Sequence, residues 1–206
     1  MKYRREEGEA VAAVMEAVGL CTAVRKELLD PSTLEKEDRS PVTLADFGSQ
    51  ALICRRLQMA FSRDPVVAEE DAGALRSPEN EGMLNRIVGY VRRFQPHADA
   101  EAVSDWIDAG NGKMADRFWI LDPIDGTKGF LRNDQYAVAL ALVEDGEVKL
   151  GVLGCPSLSC RSDAEPGVLF VAQRGRPAER VSIRGGGRVH IQVAKERGGP
   201  SWRMLE

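Results

Sequence analysis

Apolar residues recur at helical spacing through the first part of the chain. Between residues 6 and 29 they return every three or four positions, which predicts one amphipathic helix ending at Asp30-Pro31. Charged and turn-rich residues follow over 32–40. A second helical pattern is built on Leu52, Ile53, Leu57 and Phe61. Two further patterns predict helices over 83–94 and 97–108, and a glycine-containing loop from 108 to 116 follows them.

Short apolar runs between turn residues predict β-strands in the rest of the chain. The predicted strands cover residues 66–68, 118–121, 136–143, 148–153, 168–172 and 189–193. The turn Glu144-Asp145-Gly146-Glu147 indicates a β-hairpin. Because proline cannot donate a hydrogen bond to a neighbouring strand, we expect the 118–121 strand to stop at Pro123. Helices first and then a mostly antiparallel sheet is an α+β layout.

Composition narrows the class of protein. The chain has 206 residues, 43% hydrophobic and 29% charged, which is typical of one ordinary globular domain. We find no apolar run near the roughly 20 residues that cross a bilayer and no apolar core of a secretory signal in the first thirty residues. We therefore expect a cytoplasmic protein without a membrane partner. The cysteines are scattered, which favours free thiols over a zinc site, and they are Cys21, Cys54, Cys155 and Cys160.

Charge is distributed unevenly along the chain. The net charge is −4, and residues 174–206 hold eight Lys or Arg against three Glu, a net of +5, so residues 1–173 carry −9. The basic end is compatible with nucleic-acid binding, but it lacks interleaved aromatic residues. A solvated strand and tail is the favoured interpretation, and we expect no nucleic-acid partner. An acidic body attracts a polyanionic substrate only if bound cations reverse its charge locally.

Two carboxylates follow the apolar run that begins at Trp119. Asp122 and Asp125 come at the end of the predicted strand and would repel each other unless a cation lay between them. Their oxygens, with the Ile124 carbonyl, are hard ligands that favour Mg²⁺ or Mn²⁺. Gly126 and Thr127 open a predicted helical turn whose free N–H groups suit a phosphate. The alternative is that Asp-x-x-Asp is only a solvated loop.

Three further acids stand near predicted element ends. Asp46 precedes the second helical pattern and is a candidate helix cap as well as a candidate catalytic acid. Glu69 and Glu70 follow the short 66–68 strand, where paired glutamates are ordinarily surface charge. Adjacent residues on an extended strand point to opposite faces, so only one of these two can face a given site.

The string Asp-Pro-Ile-Asp-Gly-Thr at 122–127 resembles the signature of the inositol monophosphatase-like superfamily of metal-dependent, lithium-sensitive phosphatases. Val42-Thr43-Leu44-Ala45-Asp46 and Ala68-Glu69-Glu70 resemble its two other recurring motifs, in the same order. The continuation Lys-Gly-Phe-Leu-Arg at 128–132 resembles the 3'(2'),5'-bisphosphate nucleotidase branch, which acts in sulfur metabolism. Asn commonly replaces Gly129 in the inositol monophosphatase branch, so Gly129 argues against inositol phosphate as the substrate.

The resemblance implies a fold and a site. The fold is the first, α+β domain of the sugar phosphatase fold, with N-terminal helices packed on a mostly antiparallel sheet. Mg²⁺ would be held by Glu69, Asp122, Asp125 and the Ile124 carbonyl, while Glu70 orients waters. Asp46 and Thr127 would together deprotonate the attacking water, and Gly126 and Thr127 would bind the phosphate. The implied reaction converts adenosine 3',5'-bisphosphate (PAP) to AMP and phosphate, and it extends to the 5'-phosphosulfate analogue (PAPS to APS).

The resemblance covers nearly the whole chain, from about residue 9 to 193. We expect residues 1–195 to form the metal- and phosphate-binding domain and 196–206 a tail. Relatives continue into a second α/β domain with a Trp-Asp-x-Ala motif, whereas Trp202 is followed here by Arg203. We therefore expect a C-terminally shortened member with much-reduced turnover. The alternatives are an inositol monophosphatase-type enzyme and a catalytically impaired relative that acts as a binding subunit; the sequence leaves the oligomeric state open.

Overall fold

The structure, a computed structural model, describes residues 2–28, 41–159, 166–185 and 187–193. The described α-helices are α1 (Arg4–Leu28), α2 (Pro41–Ala60), α3 (Glu81–Val91), α4 (Ala100–Asp108) and α5 (Thr127–Leu131). Two single-turn 3₁₀ helices, Ala74–Arg76 and Pro78–Asn80, precede α3. The predicted helices are confirmed, while the predicted end of α1 at Asp30-Pro31 and the segment 32–40 lie outside the described residues.

The described strands form one mixed sheet in which chain order and spatial order agree. They are β1 (Val66–Val67), β2 (Arg117–Asp125), β3 (Ala137–Glu144), β4 (Glu147–Cys155), β5 (Val168–Gln173), β6 (Ala178–Ser182) and β7 (Arg188–Ile191). Only the β1–β2 pairing is parallel among them, and the other neighbours are antiparallel. Asp145 and Gly146 both have positive φ at the β3–β4 turn, as the tight hairpin predicted there requires. The predicted α+β layout is confirmed.

The helices cover one face of the sheet. α1 lies against β3 and β4, and α2 lies against α1, α4 and β2. Trp119 is fully buried on this face and its ring lies 5.6 Å from that of Phe61. Cys21 and Cys54 are buried within α1 and α2, as expected, and they and Cys155 are not joined in disulfides. Burial of each large apolar side chain stabilises such a core by about 1.5–3 kcal/mol, so this face fixes how α2 and β2 approach each other.

Two predictions about element ends are wrong, and one strand was missed. β2 does not stop before Pro123 but continues to Asp125, because the proline lies in a bulge where no ladder bond is needed. Asp46 is not an N-cap, since α2 already begins at Pro41 and Asp46 lies in its second turn. Strand β6 was not predicted. Its residues are all partly exposed, so they show no alternation of apolar and polar positions.

No helix within the described ranges is both long enough and apolar enough to cross a membrane.

Candidate active site

A β-bulge brings the two aspartates of β2 to the same face of the sheet. Residues three apart on a regular strand point to opposite faces. Here Asp122 pairs with Ala139 and Asp125 with Ala137, so two residues of β2 oppose the single residue Val138 between them. Since Ala137 and Ala139 share a face of β3, their partners Asp122 and Asp125 share it as well. The negative charge of Asp125 accordingly acts on the carboxyl group of Asp122.

The turn after β2 is held by hydrogen bonds within the signature. The Ile124 N–H donates to Asp122 Oδ1 at 3.1 Å, and the Thr127 hydroxyl donates to the Ile124 carbonyl oxygen at a long 3.4 Å. Gly126 has the left-handed backbone (φ 88°) that starts α5. The helical turn predicted at Gly126 and Thr127 is therefore confirmed. The pairing of Thr127 with Asp46 stays a prediction, because the described hydrogen bond of the Thr127 hydroxyl goes to Ile124.

A buried arginine from α1 forms hydrogen bonds with the C-terminal part of α5 and the loop that follows it. Arg25 is only 6% exposed, and its guanidinium donates to the carbonyl oxygens of Gly129 at 3.2 Å and Asp134 at 2.8 Å. The same guanidinium lies 5.6 Å from the centre of the Phe130 ring and 5.1 Å from that of Tyr136. It thus ties α5 and the loop that follows it to α1, behind the turn that carries Thr127.

Close packing explains the glycine within α5. A Cβ atom added to Gly129 would lie 1.8 Å from the carbonyl oxygen of Gln135, which is far inside contact distance. Any larger residue at 129 requires the loop at 133–135 to move. Gly129 therefore has a packing role that is independent of the substrate.

Carboxyl groups from two other segments approach those of β2. Asp46 projects from α2, and Glu69 and Glu70 follow the two-residue strand β1, which pairs with β2 through Trp119 and Ile120. Burial, followed by the charges of Glu70, Glu69 and Asp122, raises the pKa of Asp46 from its ordinary 3.8 to about 8. The acids predicted from three separate motifs are therefore electrostatic neighbours.

The same causes act on two more of these acids. Burial, followed by the charge of Glu69, raises the pKa of Glu70. Burial, followed by the charges of Glu69 and Asp125, raises the pKa of Asp122, while the Ile124 N–H opposes this shift. Each of these shifts shows that an ionised carboxylate is disfavoured by burial and by neighbouring negative charge. A bound cation would remove that penalty.

The donor set has the chemistry of a hard-cation site. Asp122, Asp125, Glu69 and the Ile124 carbonyl offer only oxygen, as Mg²⁺ prefers. In their present side-chain positions, no three His, Cys, Asp or Glu residues of the described segments form a group that could hold a metal ion. The ligand set thus stays a prediction, although Glu69 lies near enough to Asp122 to affect its titration.

Two residues that shape this site were not predicted from the sequence. In the sequence, Arg25 is only one polar residue of an amphipathic helical pattern. Gln50, in α2, is fully buried and hydrogen-bonds to the backbone of Glu70. Neither residue belongs to one of the three motifs, so no signal in the sequence pointed to them.

The sequence profile of the Inositol monophosphatase family matches residues 6–197, and the chain belongs to this family. A rice (Oryza sativa) relative named 3'(2'),5'-bisphosphate nucleotidase is 42% identical over 212 residues, which cover 93% of this chain and 59% of the relative. A Dictyostelium discoideum relative of the same name is 39% identical over 181 residues, covering 84% of this chain and 54% of its own. The chain thus spans less than two thirds of the length of these curated relatives.

Solved structures share the fold. One is CysQ from Bacteroides thetaiotaomicron, described as a bacterial member of the inositol monophosphatase family. It has a TM-score of 0.59 at 21% identity, and the match covers 95% of this chain and 60% of that one. Mycobacterium tuberculosis SuhB has a TM-score of 0.56 at 20% identity, covering 93% of this chain and 53% of that one. At this level of identity the likeness establishes the fold alone, and it agrees with the predicted sugar phosphatase fold.

Proposed function

We propose that this chain contributes the metal- and phosphate-binding part of an Mg²⁺-dependent phosphomonoesterase that hydrolyses adenosine 3',5'-bisphosphate to AMP and phosphate. The observation that carries the proposal is the meeting of acids from α2, the segment after β1, and β2. Burial, followed by the charges of Glu70, Glu69 and Asp122, raises the pKa of Asp46 to about 8. In this proposal residues 1–195 act as one metal- and phosphate-binding domain and 196–206 as a tail, and the enzyme works in the cytoplasm.

Glu69, Asp122, Asp125 and the Ile124 carbonyl would hold the cation in this proposal. The bulge supports the assignment, because it turns both aspartates of β2 to one face and keeps the Ile124 carbonyl between them in the chain. When bound, Mg²⁺ supplies positive charge for the phosphate oxygens and makes an attacking water more acidic. Glu70 would orient waters at the edge of this group.

Asp46 and Thr127 would together remove the proton of the attacking water. A carboxyl group whose pKa lies near neutrality is suited to accept a proton at physiological pH, and Asp46 has a pKa of about 8 without a cation. Thr127 would pass the water's proton to Asp46. The first N–H groups of α5, at Gly126 and Thr127, would hold the phosphate oxygens, because the opening turn of a helix leaves its N–H groups without intrahelical partners.

The names of the relatives support the nucleotide substrate. Rice, Dictyostelium and Arabidopsis relatives at 39–42% identity carry the name 3'(2'),5'-bisphosphate nucleotidase. PAPS, which differs by the sulfate on the 5'-phosphate, is a second candidate substrate of the same site. An inositol monophosphate is a further candidate, favoured by the family profile that matches residues 6–197.

The proposal is tested on the purified chain by calorimetric titration with Mg²⁺ and by phosphate release. We expect Asp122→Ala to weaken Mg²⁺ binding by more than about a hundredfold, because a ligand is lost. Thr127→Ala should leave Mg²⁺ binding unchanged and lower the rate by about 10²–10⁴-fold, because a proton-transfer group is lost. Asp145→Asn is the matched control, since this exposed carboxylate lies in the β3–β4 turn, at the opposite end of β3 from Ala137.

Equal activity and equal Mg²⁺ affinity in Asp122→Ala, Thr127→Ala and the unmodified chain would refute the assignment. Phosphate release from adenosine 3',5'-bisphosphate, compared with that from inositol 1-phosphate, decides between the two substrates. Mg²⁺ binding without phosphate release from either would favour a binding subunit over an enzyme.

A further inference from the structure

The side-chain amide of Gln50 forms two hydrogen bonds with the backbone of Glu70. Gln50 is fully buried in the middle of α2. Its Nε2 donates to the Glu70 carbonyl oxygen at 2.6 Å, and its Oε1 accepts from the Glu70 N–H at 3.0 Å. Nε2 also donates to the carbonyl oxygen of Ile107 in α4 at 2.8 Å. One side chain therefore links α2, α4 and the segment that carries Glu69 and Glu70.

The segment after β1 depends on such contacts, because the sheet holds it for only two residues. β1 ends at Val67, and the next residue, Ala68, donates its N–H to the Gly110 carbonyl oxygen at 2.8 Å. Farther along, the Ala72 N–H donates to Asp108 Oδ1 at 2.9 Å. Both of these contacts lead to the end of α4 and the loop that follows it. Gln50 connects the same segment to α2.

α2 is also the helix that carries Asp46. Gln50 lies four residues after Asp46, and side chains at this spacing lie on the same face of a helix. The face of α2 that presents Asp46 to the acid cluster thus also holds the backbone of Glu70. The charges of Glu69 and Glu70 act on the carboxyl group of Asp46 across this contact.

The opposite wall of the Gln50 site is shaped to accept an amide. A Cβ atom at Gly110 would lie 2.5 Å from Nε2 of Gln50 and 2.8 Å from Cβ of Ala68. Glycine at 110 therefore leaves room for the Gln50 amide where α4 ends. A buried amide with all three partners on the main chain is rigid, since each bond fixes the position of the backbone and not of a mobile side chain.

We propose that Gln50 is a positioning residue, which holds the Glu69-Glu70 backbone at a set distance from Asp46 and so assembles the acid cluster before a cation binds. This inference rests on the proposed function, because it assigns Gln50 a part in preparing the Mg²⁺ site. Gln50 touches neither substrate nor cation in this role. It acts by fixing the positions of the acids that would contact the cation.

Gln50→Met tests the proposal, since methionine has a similar length and cannot form the three hydrogen bonds. Using calorimetry on the purified full chain, we expect Mg²⁺ affinity to fall by about 10–100-fold, as is usual when a group that orients a ligand is lost. The Mg²⁺ concentration for half-maximal activity should rise by the same factor, while the rate at saturating Mg²⁺ recovers. Amide hydrogen exchange at Glu70 should become faster, because its N–H loses its acceptor.

Leu57→Ala is the matched control, because Leu57 is equally buried in the same helix. It should lower the melting temperature yet leave Mg²⁺ affinity within about twofold, as expected of a mutation that affects only the core. If Gln50→Met does not fold, Gly110→Ala replaces it, since the added methyl group presses on the Gln50 amide. Mg²⁺ affinity within twofold of the unmodified chain in the variant measured would overturn the role of Gln50. Absence of Mg²⁺ binding in the unmodified chain would overturn the proposed function instead.

Discussion

Replacing Asp46 by Asn should stabilise the metal-free protein at alkaline pH. The Asp46 carboxyl has a pKa of about 8, raised from 3.8 by burial and then by the charges of Glu70, Glu69 and Asp122. The folded state therefore holds the Asp46 proton more tightly than the unfolded state does. The stability that comes from this proton is fully present below pH 3.8 and is lost as the pH rises through 8.

The magnitude follows from the size of the shift. Each pKa unit corresponds to about 1.36 kcal/mol, so a rise from 3.8 to about 8 removes at most about 6 kcal/mol from the free energy of unfolding at high pH. Asn carries no charge at any pH and escapes this loss. Since burying the amide also has a desolvation cost, we expect Asp46→Asn to gain about 2–4 kcal/mol over the unmodified chain at pH 8.5. The gain should vanish near pH 4.

The measurement is urea unfolding in EDTA at a series of pH values from 4 to 9. Asp145→Asn is the control, because it makes the same chemical change at an exposed carboxylate in the β3–β4 turn. Mg²⁺ should narrow the difference, since a cation bound beside Asp46 favours its ionised form and so removes part of the penalty that Asn escapes. A difference for Asp46→Asn that is independent of pH, or a loss of stability at pH 8.5, would refute the reasoning.

Two further predictions concern the packing behind the signature. Gly129→Ala should lower the free energy of unfolding by about 1–3 kcal/mol, because its Cβ would meet the Gln135 carbonyl oxygen at 1.8 Å. Thermal unfolding measures this loss of stability. Gly89→Ala in α3 is the control, because the open space around Gly89 predicts a gain of about 0.5–1 kcal/mol. Arg25→Met should cost about 2–4 kcal/mol, since two carbonyl oxygens and Ser157 Oγ lose their donor. Arg25→Lys should not restore the loss, because an ammonium cannot reproduce the planar fork; full recovery with lysine would contradict this account.

The elements of the fold were largely predictable, because apolar spacing reports which face of a helix or strand is buried. The errors occurred where that relation is weak. Pro123 was expected to end a strand, but the rule applies to regular ladders, and a bulge removes the need for the missing N–H. Strand β6 is partly exposed along its whole length, so its composition carries no alternation.

The acids of the candidate site were named from motifs, and the structure makes electrostatic neighbours of Asp46, Glu69, Glu70 and Asp122. The groups that support them were not predictable, because hydrogen bonds to main-chain atoms leave no pattern in a single sequence. The structure also weakens the use of Gly129 to distinguish the nucleotidase branch from the inositol monophosphatase branch. Its close approach to the Gln135 carbonyl oxygen is reason enough for a glycine, so this residue alone does not discriminate between nucleotide and inositol substrates.

The bulge in β2 makes the length of the signature as important as its composition. Deleting Pro123 would restore regular alternation, place Asp122 and Asp125 two apart, and remove the extra residue that holds the Ile124 carbonyl off the ladder. Inserting one residue at that point while the bulge is kept would place Asp122 and Asp125 on opposite faces of the sheet. A change of one residue in the length of this stretch would therefore remove either the bulge or the face that Asp125 shares with Asp122, which makes the stretch sensitive to insertions and deletions.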